Sequence, residues 1–299
     1  MTMAENRTIV AAIDTTDVSR AVFKESLVLA SSTNAKVVLV AVTPQYEGNM
    51  NRLCIKDAVE QFSKPFKQVL QEAEEYAHSL GLKLQTVHRS GKPGDEITAV
   101  AVETQASIIL LGCTRRSQIE RMLLGRTMMD IIGNCPCDVL LIPEGGTVGF
   151  RKLLVGLNGK ASSLAAAERV LDVATCYGSD VHAIYAIDIP PDRSLRYGVQ
   201  KEAEQKGRII LQRFNQMATD RQLSATTSIH WGAPEKGLVD YSVEKDIQLI
   251  VLCSKHHAGM LDGLWDSVVE GVSAKTSCPV LVTKKREKET VSRFPNLFS

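Results

Sequence analysis

Two halves of this chain carry the same order of signals, and a chain built that way must fold one domain twice. The turn Ser90-Gly91-Lys92-Pro93 is answered by Trp231-Gly232-Ala233-Pro234, 141 residues on (232 − 91 = 141). The apolar run ending at Leu111-Gly112 is answered by the one ending at Leu252-Cys253. Cys137-Asp138-Val139-Leu140-Leu141 is answered by Cys278-Pro279-Val280-Leu281-Val282, and both spacings are again 141. Near the start, Ile13-Asp14 is matched by Leu157-Asn158 at a spacing of 144. Four matches in one order, with one small change of length, mark a duplication. A length of 299 residues suits two domains of roughly 140 to 150 residues, each large enough for its own core. The expected division is 1–144 and 150–284, joined through Pro143-Glu144-Gly145-Gly146 and followed by a polar tail, 285–299. Each functional residue can then be read against its own twin.

Within each half, short apolar runs alternate with helical patterns. Thr8–Ile13, Lys36–Val42, Lys83–His88, Ser107–Leu111 and Asp138–Ile142 read as strands, several of them rich enough in Val, Ile and Leu to be buried on both faces. Leu153–Leu157, Val181–Ile187, Ala225–His230, Leu249–Cys253 and Val280–Thr283 repeat the set. Ser19 is placed to cap a first helix. The stripe Val59, Phe62, Phe66, Val69, Ala73, Tyr76 and Leu80 makes a second, long helix, in which Pro65 predicts a kink or a break. Pro93 with Asp95 and Glu96 opens a third. Strands alternating with helices predict the α/β class: in each half a five-stranded parallel sheet covered by helices on both faces, Rossmann-like in topology.

Composition excludes several function classes. Charged residues are 23%, hydrophobic residues 44% and the net charge +1, so no global field points to nucleic acid or to an anionic membrane as partner. No apolar run reaches the 18 or so residues of a membrane span, and Met1–Arg7 shows no secretory pattern. Seven cysteines set within apolar runs read as reduced, packed thiols of a cytosol-like compartment. Cys135-Pro136-Cys137 leads into a buried strand rather than making a metal site, and Cys253, His256 and His257 lack a second ligand pair. Asp14 and Asp17 read as strand-end and turn residues before they read as catalytic carboxylates. No Ser-His-Asp or Cys-His arrangement presents itself, and no phosphate loop follows the first strand, so no residue is assigned to catalysis.

The ends of strands one, two and four should share one edge of the first sheet, where ligands of open α/β sheets bind. Asp14, Val42 and Gly112 stand at those ends. From Gly112 the chain runs through Cys113, Arg115 and Arg116 to Gly125-Arg126-Thr127, which opens a helix. Glycines let a phosphate approach the backbone, and the helix start supplies amides and a positive dipole end. Cys113 stands close to these basic residues, which would lower its pKa; a redox-sensing role there is the minor alternative to a packed thiol.

The spacing Gly, two residues, Gly, nine residues, Gly-Ser/Thr resembles the ATP-binding signature of the universal stress protein family. The Asp ending strand one and the Cys-Pro-Val-Leu-Val type of last strand resemble that family too, over nearly the whole chain, as a tandem of two domains. The resemblance implies the adenine nucleotide α-hydrolase-like fold. It implies a cytoplasmic stress-response protein that binds ATP, with Mg2+, mainly through its first domain, with weak hydrolysis at most. Asp14 and Val42 would then meet adenosine, and Gly112, Arg115, Gly125, Arg126 and Thr127 the phosphates. It also implies pairing through strand five and a homodimer. Arg115 stands where the signature has its second Gly, and Arg126 where it has Ser/Thr; the two either pair with phosphate oxygens or fill the pocket themselves. In the second half Cys253, His256 and Asp266 replace the three glycines, Asn158 replaces the Asp, and only Ser267 is retained, so that half is expected to be degenerate. The rivals are a nucleotide-free scaffold and an ATP-using enzyme of the wider superfamily.

Overall fold

The structure, a computed structural model, describes residues 7–45, 58–113, 125–189, 198–254, 267–284 and 297–298. The first domain runs β1 (Thr8–Ala12), α1 (Val18–Thr33), β2 (Lys36–Pro44), α2 (Ala58–Ser79), β3 (Gln85–Gly91), α3 (Pro93–Glu103), β4 (Ile108–Cys113), α4 (Arg126–Asn134), β5 (Asp138–Pro143). Its strands lie side by side in the order β3-β2-β1-β4-β5, every neighbouring pair parallel. The second runs β6 (Lys152–Leu157), α5 (Ala161–Tyr177), β7 (Asp180–Ile187), α6 (Val199–Asp220), β8 (Ala225–Trp231), α7 (Pro234–Glu244), β9 (Leu249–Cys253), α8 (Ser267–Lys275), β10 (Val280–Thr283). Its order is β10-β9-β6-β7-β8, again parallel throughout.

The strand composition explains why each sheet sits in the middle of its domain. All six residues of β5 and all four of β10 are buried, and Ile9, Val10, Leu39, Ile109, Leu153 and Val155 are at most 3% exposed. Side chains alternate between faces along a strand, so unbroken burial requires cover on both sides. Each fully buried Val, Leu or Ile contributes about 1.5–3 kcal/mol. In the first domain α1 meets α2 through an edge-to-face contact of Phe23 with Tyr76, ring centroids 5.8 Å apart. On α3, Gly94 lets α4 come close: a Cβ there would lie 3.1 Å from Asp130 Cβ.

The duplication extends to backbone detail. α1 ends on Asn34 with φ 51°, and α5 ends 144 residues later on Gly178 with φ 65°. Both are left-handed C-caps, a conformation that Asn and Gly adopt most readily. α2 and α6 are each 22 residues long at a spacing of 141. Inside the helix–sheet seams, bulk has moved between partners. In the second domain Tyr185 of β7 lies against Gly207 of α6, so closely that a Cβ on Gly207 would be 2.6 Å from Tyr185 Cδ1. The twin positions in the first domain hold the small residue on the strand, Ala41, and the large one on the helix, Phe66. Likewise Phe23 and Ala73 in the first domain answer to Ala167 and Phe214 in the second.

Two local expectations are corrected. Pro65 does not break α2, which continues through it as one helix from Ala58 to Ser79. Pro65 sits on the exposed side, where water can serve the carbonyl that a proline leaves unpaired. Ser19 is not the N-cap of α1, which begins one residue before it, at Val18; its hydroxyl turns back to Asp14. Among the described residues no helix is long and apolar enough to cross a membrane.

Candidate functional site

In the first sheet β1 lies between β2 and β4, so the chain leaves the central strand toward one side and later returns on the other. That reversal opens a crevice at the carboxyl ends of the strands. The parallel registers pair Ala12 with Val40 and Ala11 with Leu110, which brings Asp14, the end of β2 and Gly112 to one edge. Three of the residues singled out from the sequence, distant along the chain, are thus neighbours in the fold.

Asp14 organises the β1–α1 turn. Its Oδ1 accepts hydrogen bonds from the Thr16 amide at 2.9 Å, the Thr16 hydroxyl, and the Ser19 hydroxyl at 2.7 Å. Ser19 Oγ in turn accepts the Asp14 amide at 2.8 Å. This is an Asx turn, the reason Asp and Asn recur at such bends. Asp14 is exposed, and Oδ2 takes no part in these bonds. One carboxylate oxygen therefore builds the turn while the other remains available as an acceptor at the crevice. Thr16 and Ser19 were missed as parts of this site; the Asp-x-Thr spacing was the signal that could have found them.

Gly112 has a steric reason to be glycine. A Cβ there would lie 2.6 Å from Val18 Cγ1 and 3.3 Å from Val22 Cγ2, so the bare backbone lets the start of α1 settle on the end of β4. Val42 is 6% exposed and offers the edge little beyond its main chain. Gly125 differs from Gly112: among the described residues no atom stands within 4 Å of a Cβ built on it. Its carbonyl accepts the Met128 amide at 2.9 Å and the Met129 amide at 3.2 Å, which starts α4. Thr127 is exposed in the first turn of that helix. α4 is held in place by buried Ile131 and Ile132 and by the Lys92–Asp130 ion pair at 3.3 Å. Arg115 and the side chain of Arg126 lie outside the described residues.

Cys113 is a packed thiol, and the redox-sensing alternative is not supported. The thiol is 6% exposed and burial pushes its pKa up to about 12, with Met128 Sδ 3.5 Å away. An apolar surrounding disfavours the thiolate, and a thiolate is what redox sensing needs. Cys135 and Cys137 are also buried, Cys135 Sγ donating to the Cys137 carbonyl at 3.1 Å as the chain turns into β5.

The second domain keeps the turn. Asn158 Oδ1 accepts the Lys160 amide at 2.9 Å, the same turn that Asp14 makes, without the charge. Ser163, the twin of Ser19, bonds instead to the Lys160 carbonyl at 3.0 Å. A cavity of about 150 Å3 remains at this edge, with Asn158, Ser162, Pro234, Cys253 and Val268 among its walls. Small-molecule sites usually run from about 300 Å3 upward. His256 and Asp266 lie outside the described residues.

The model of the universal stress protein family matches the chain twice, over residues 5–143 and 149–284. A universal stress protein of Methanocaldococcus jannaschii is 28% identical over 145 residues, covering 47% of this chain and 85% of that protein. One from Mycolicibacterium smegmatis is 24% identical over 246 residues, 77% of each chain. Among solved structures, a universal stress protein from Archaeoglobus fulgidus superposes with a TM-score of 0.72 at 17% identity, covering 95% of this chain and 98% of the other. Two successive family matches, on two α/β domains with one strand order, lead to one conclusion: this chain is a tandem, two-domain member of the universal stress protein family.

Proposed function

We propose that the chain is a cytoplasmic stress-response protein that binds an adenine nucleotide, ATP accompanied by Mg2+, through its first domain. One observation carries the reading: the first-domain edge combines the Asp14 turn, Gly112 and the open Gly125-Thr127 helix start, and the second-domain edge does not. An adenosine hydroxyl or amine can donate to Asp14, and phosphate oxygens can meet the amides at the start of α4 without obstruction by a Cβ at Gly125. Mg2+ would arrive with the phosphates, whose charge it offsets. In the second domain Asn158 and a cavity of about 150 Å3 favour a structural partner over a second nucleotide site. No described residue is placed as a general base, so turnover should be slow or absent. A homodimer follows from the same family reading.

The test is to denature the purified protein and identify any adenine nucleotide released, with a thermal-shift titration of ATP and magnesium alongside. Binding should raise the melting temperature, and Asp14→Ala should weaken that response. No released nucleotide and no shift up to millimolar ATP would favour the rival, a nucleotide-free scaffold.

A further inference from the structure

The seam between the first two helices of each domain is closed in one copy and open in the other. In the first domain Phe23 of α1 and Tyr76 of α2 fill it edge to face. Their twins in the second domain are Ala167 of α5 and Met217 of α6. Phe214, which takes up part of the lost bulk, is buried beneath. What remains is a groove of about 350 Å3, walled by Leu164, Ala167, Ile210 and Met217, with Lys160 and Arg213 beside it. That volume lies within the range of small-ligand sites, and more than doubles the cavity at the strand edge of the same domain.

The charges have changed together with the shape. Arg213 stands where the first domain has Glu72, and Lys160 where it has Thr16. Leu164, 49% exposed, stands where it has Arg20. Among the described residues no acidic side chain lines the groove, and neither Lys160 nor Arg213 pairs with a carboxylate. A largely apolar groove flanked by two cations is complementary to an apolar chain ending in an anion.

We propose that the groove between α5 and α6 binds a soluble amphipathic carboxylate, a medium-chain acyl anion, its chain along Leu164, Ala167, Ile210 and Met217 and its head between Lys160 and Arg213. The site is separate from the first-domain crevice and does not depend on nucleotide binding there. The occupant is a free small molecule rather than a lipid in a bilayer, because a groove of about 350 Å3 between two helices has room for a single short chain.

The experiment uses the full chain with 13C-labelled methionine methyls and decanoate as the probe. Decanoate should shift the Met217 methyl saturably, below the concentration at which it self-associates. Decanol, without the charge, should bind roughly fivefold more weakly, and decyltrimethylammonium should not compete. Arg213→Glu, a surface change that restores the first domain's charge, should weaken decanoate roughly tenfold and leave decanol unaffected. Ala167→Phe, which restores the first domain's ring, should abolish the shift. No saturable shift in the wild-type chain would overturn the proposal, as would equal affinity for the cationic probe or an unchanged Arg213→Glu variant. Co-sedimentation with phosphatidylglycerol vesicles that Arg213→Glu abolishes would overturn the free carboxylate as the occupant.

Discussion

Replacing Gly112 by Ala should destabilise the first domain through one identifiable collision. The new methyl would sit 2.6 Å from Val18 Cγ1 and 3.1 Å from Cγ2, about 1 Å inside ordinary carbon contact, with Val22 Cγ2 at 3.3 Å behind. Val18 is 6% exposed and β-branched, so it cannot rotate away cheaply. Overpacking of this kind costs about 1–3 kcal/mol. The reduced freedom of the unfolded chain on losing a glycine offsets about 0.5–1 kcal/mol. The net loss should be about 1–2 kcal/mol, a fall of roughly 3–6 °C in the melting of a domain this size. Urea unfolding followed by circular dichroism would measure it, with Val18→Ala as the second arm of a double-mutant cycle. Val18→Ala alone should cost about 1–2 kcal/mol as a cavity, yet in that background Gly112→Ala should be close to neutral. Costs that add to within about 0.5 kcal/mol would refute the collision as the reason for the glycine. The same strain lies on the first turn of α1, beside the Asp14 turn, so Gly112→Ala should also weaken nucleotide binding if the first-domain edge is the site.

Asp14→Asn should keep the turn, as Asn158 does in the second domain, and change stability by less than about 0.5 kcal/mol, whereas Asp14→Ala should cost about 1 kcal/mol; chemical denaturation compares them. If the carboxylate charge matters to the ligand, Asp14→Asn will lower nucleotide affinity without that stability loss. Timed alkylation of the native protein read by mass spectrometry should leave Cys113 unmodified, since its pKa is pushed to about 12, while Cys176, exposed, reacts first among the described cysteines. Burial lowers the pKa of His182, whose Nδ1 lies 3.0 Å from the Tyr241 hydroxyl, and burial also lowers that of His88. With folded pKa values below the unfolded 6.5, the unfolded chain binds more protons, so stability is full above about pH 6.5 and is lost as pH falls through the folded values. His182→Gln should flatten part of that slope in thermal melts taken from pH 7.5 to 5.5.

The alternation of buried runs with helical stripes was enough to reveal both sheets, because short runs such as Ile108–Leu111, rich in Ile and Leu and too short for a helix, read as strands covered on two faces. The switch in strand order then located the crevice at Asp14, Val42 and Gly112, the ends of the central strands. Chemistry set by tertiary surroundings was less legible. Cys113 stands beside arginines in sequence, but burial raises its pKa in the fold, where Met128 Sδ lies 3.5 Å away. Ser19 looked like a cap because Ser precedes an amphipathic run, and only the folded turn shows Asp14 claiming its hydroxyl. Gly112 was read as room for a phosphate, whereas the nearest claim on that space comes from Val18. The groove at Ala167 and Met217 was invisible until paired helices could be compared, since neither residue is unusual alone.

The exchange of bulk across the seams bears on how such a chain can evolve further. Copying α2 over α6 would drive Phe66 into Tyr185, while the reverse would leave Gly207 facing Ala41 across a void. Each half has thus settled on its own lock and key, and a recombination event that made the repeats alike again would produce a misfit core. Compensation within each half therefore acts as a barrier to homogenisation between them. Behind that barrier one copy can keep its strand-edge crevice while the other is free to open a groove elsewhere.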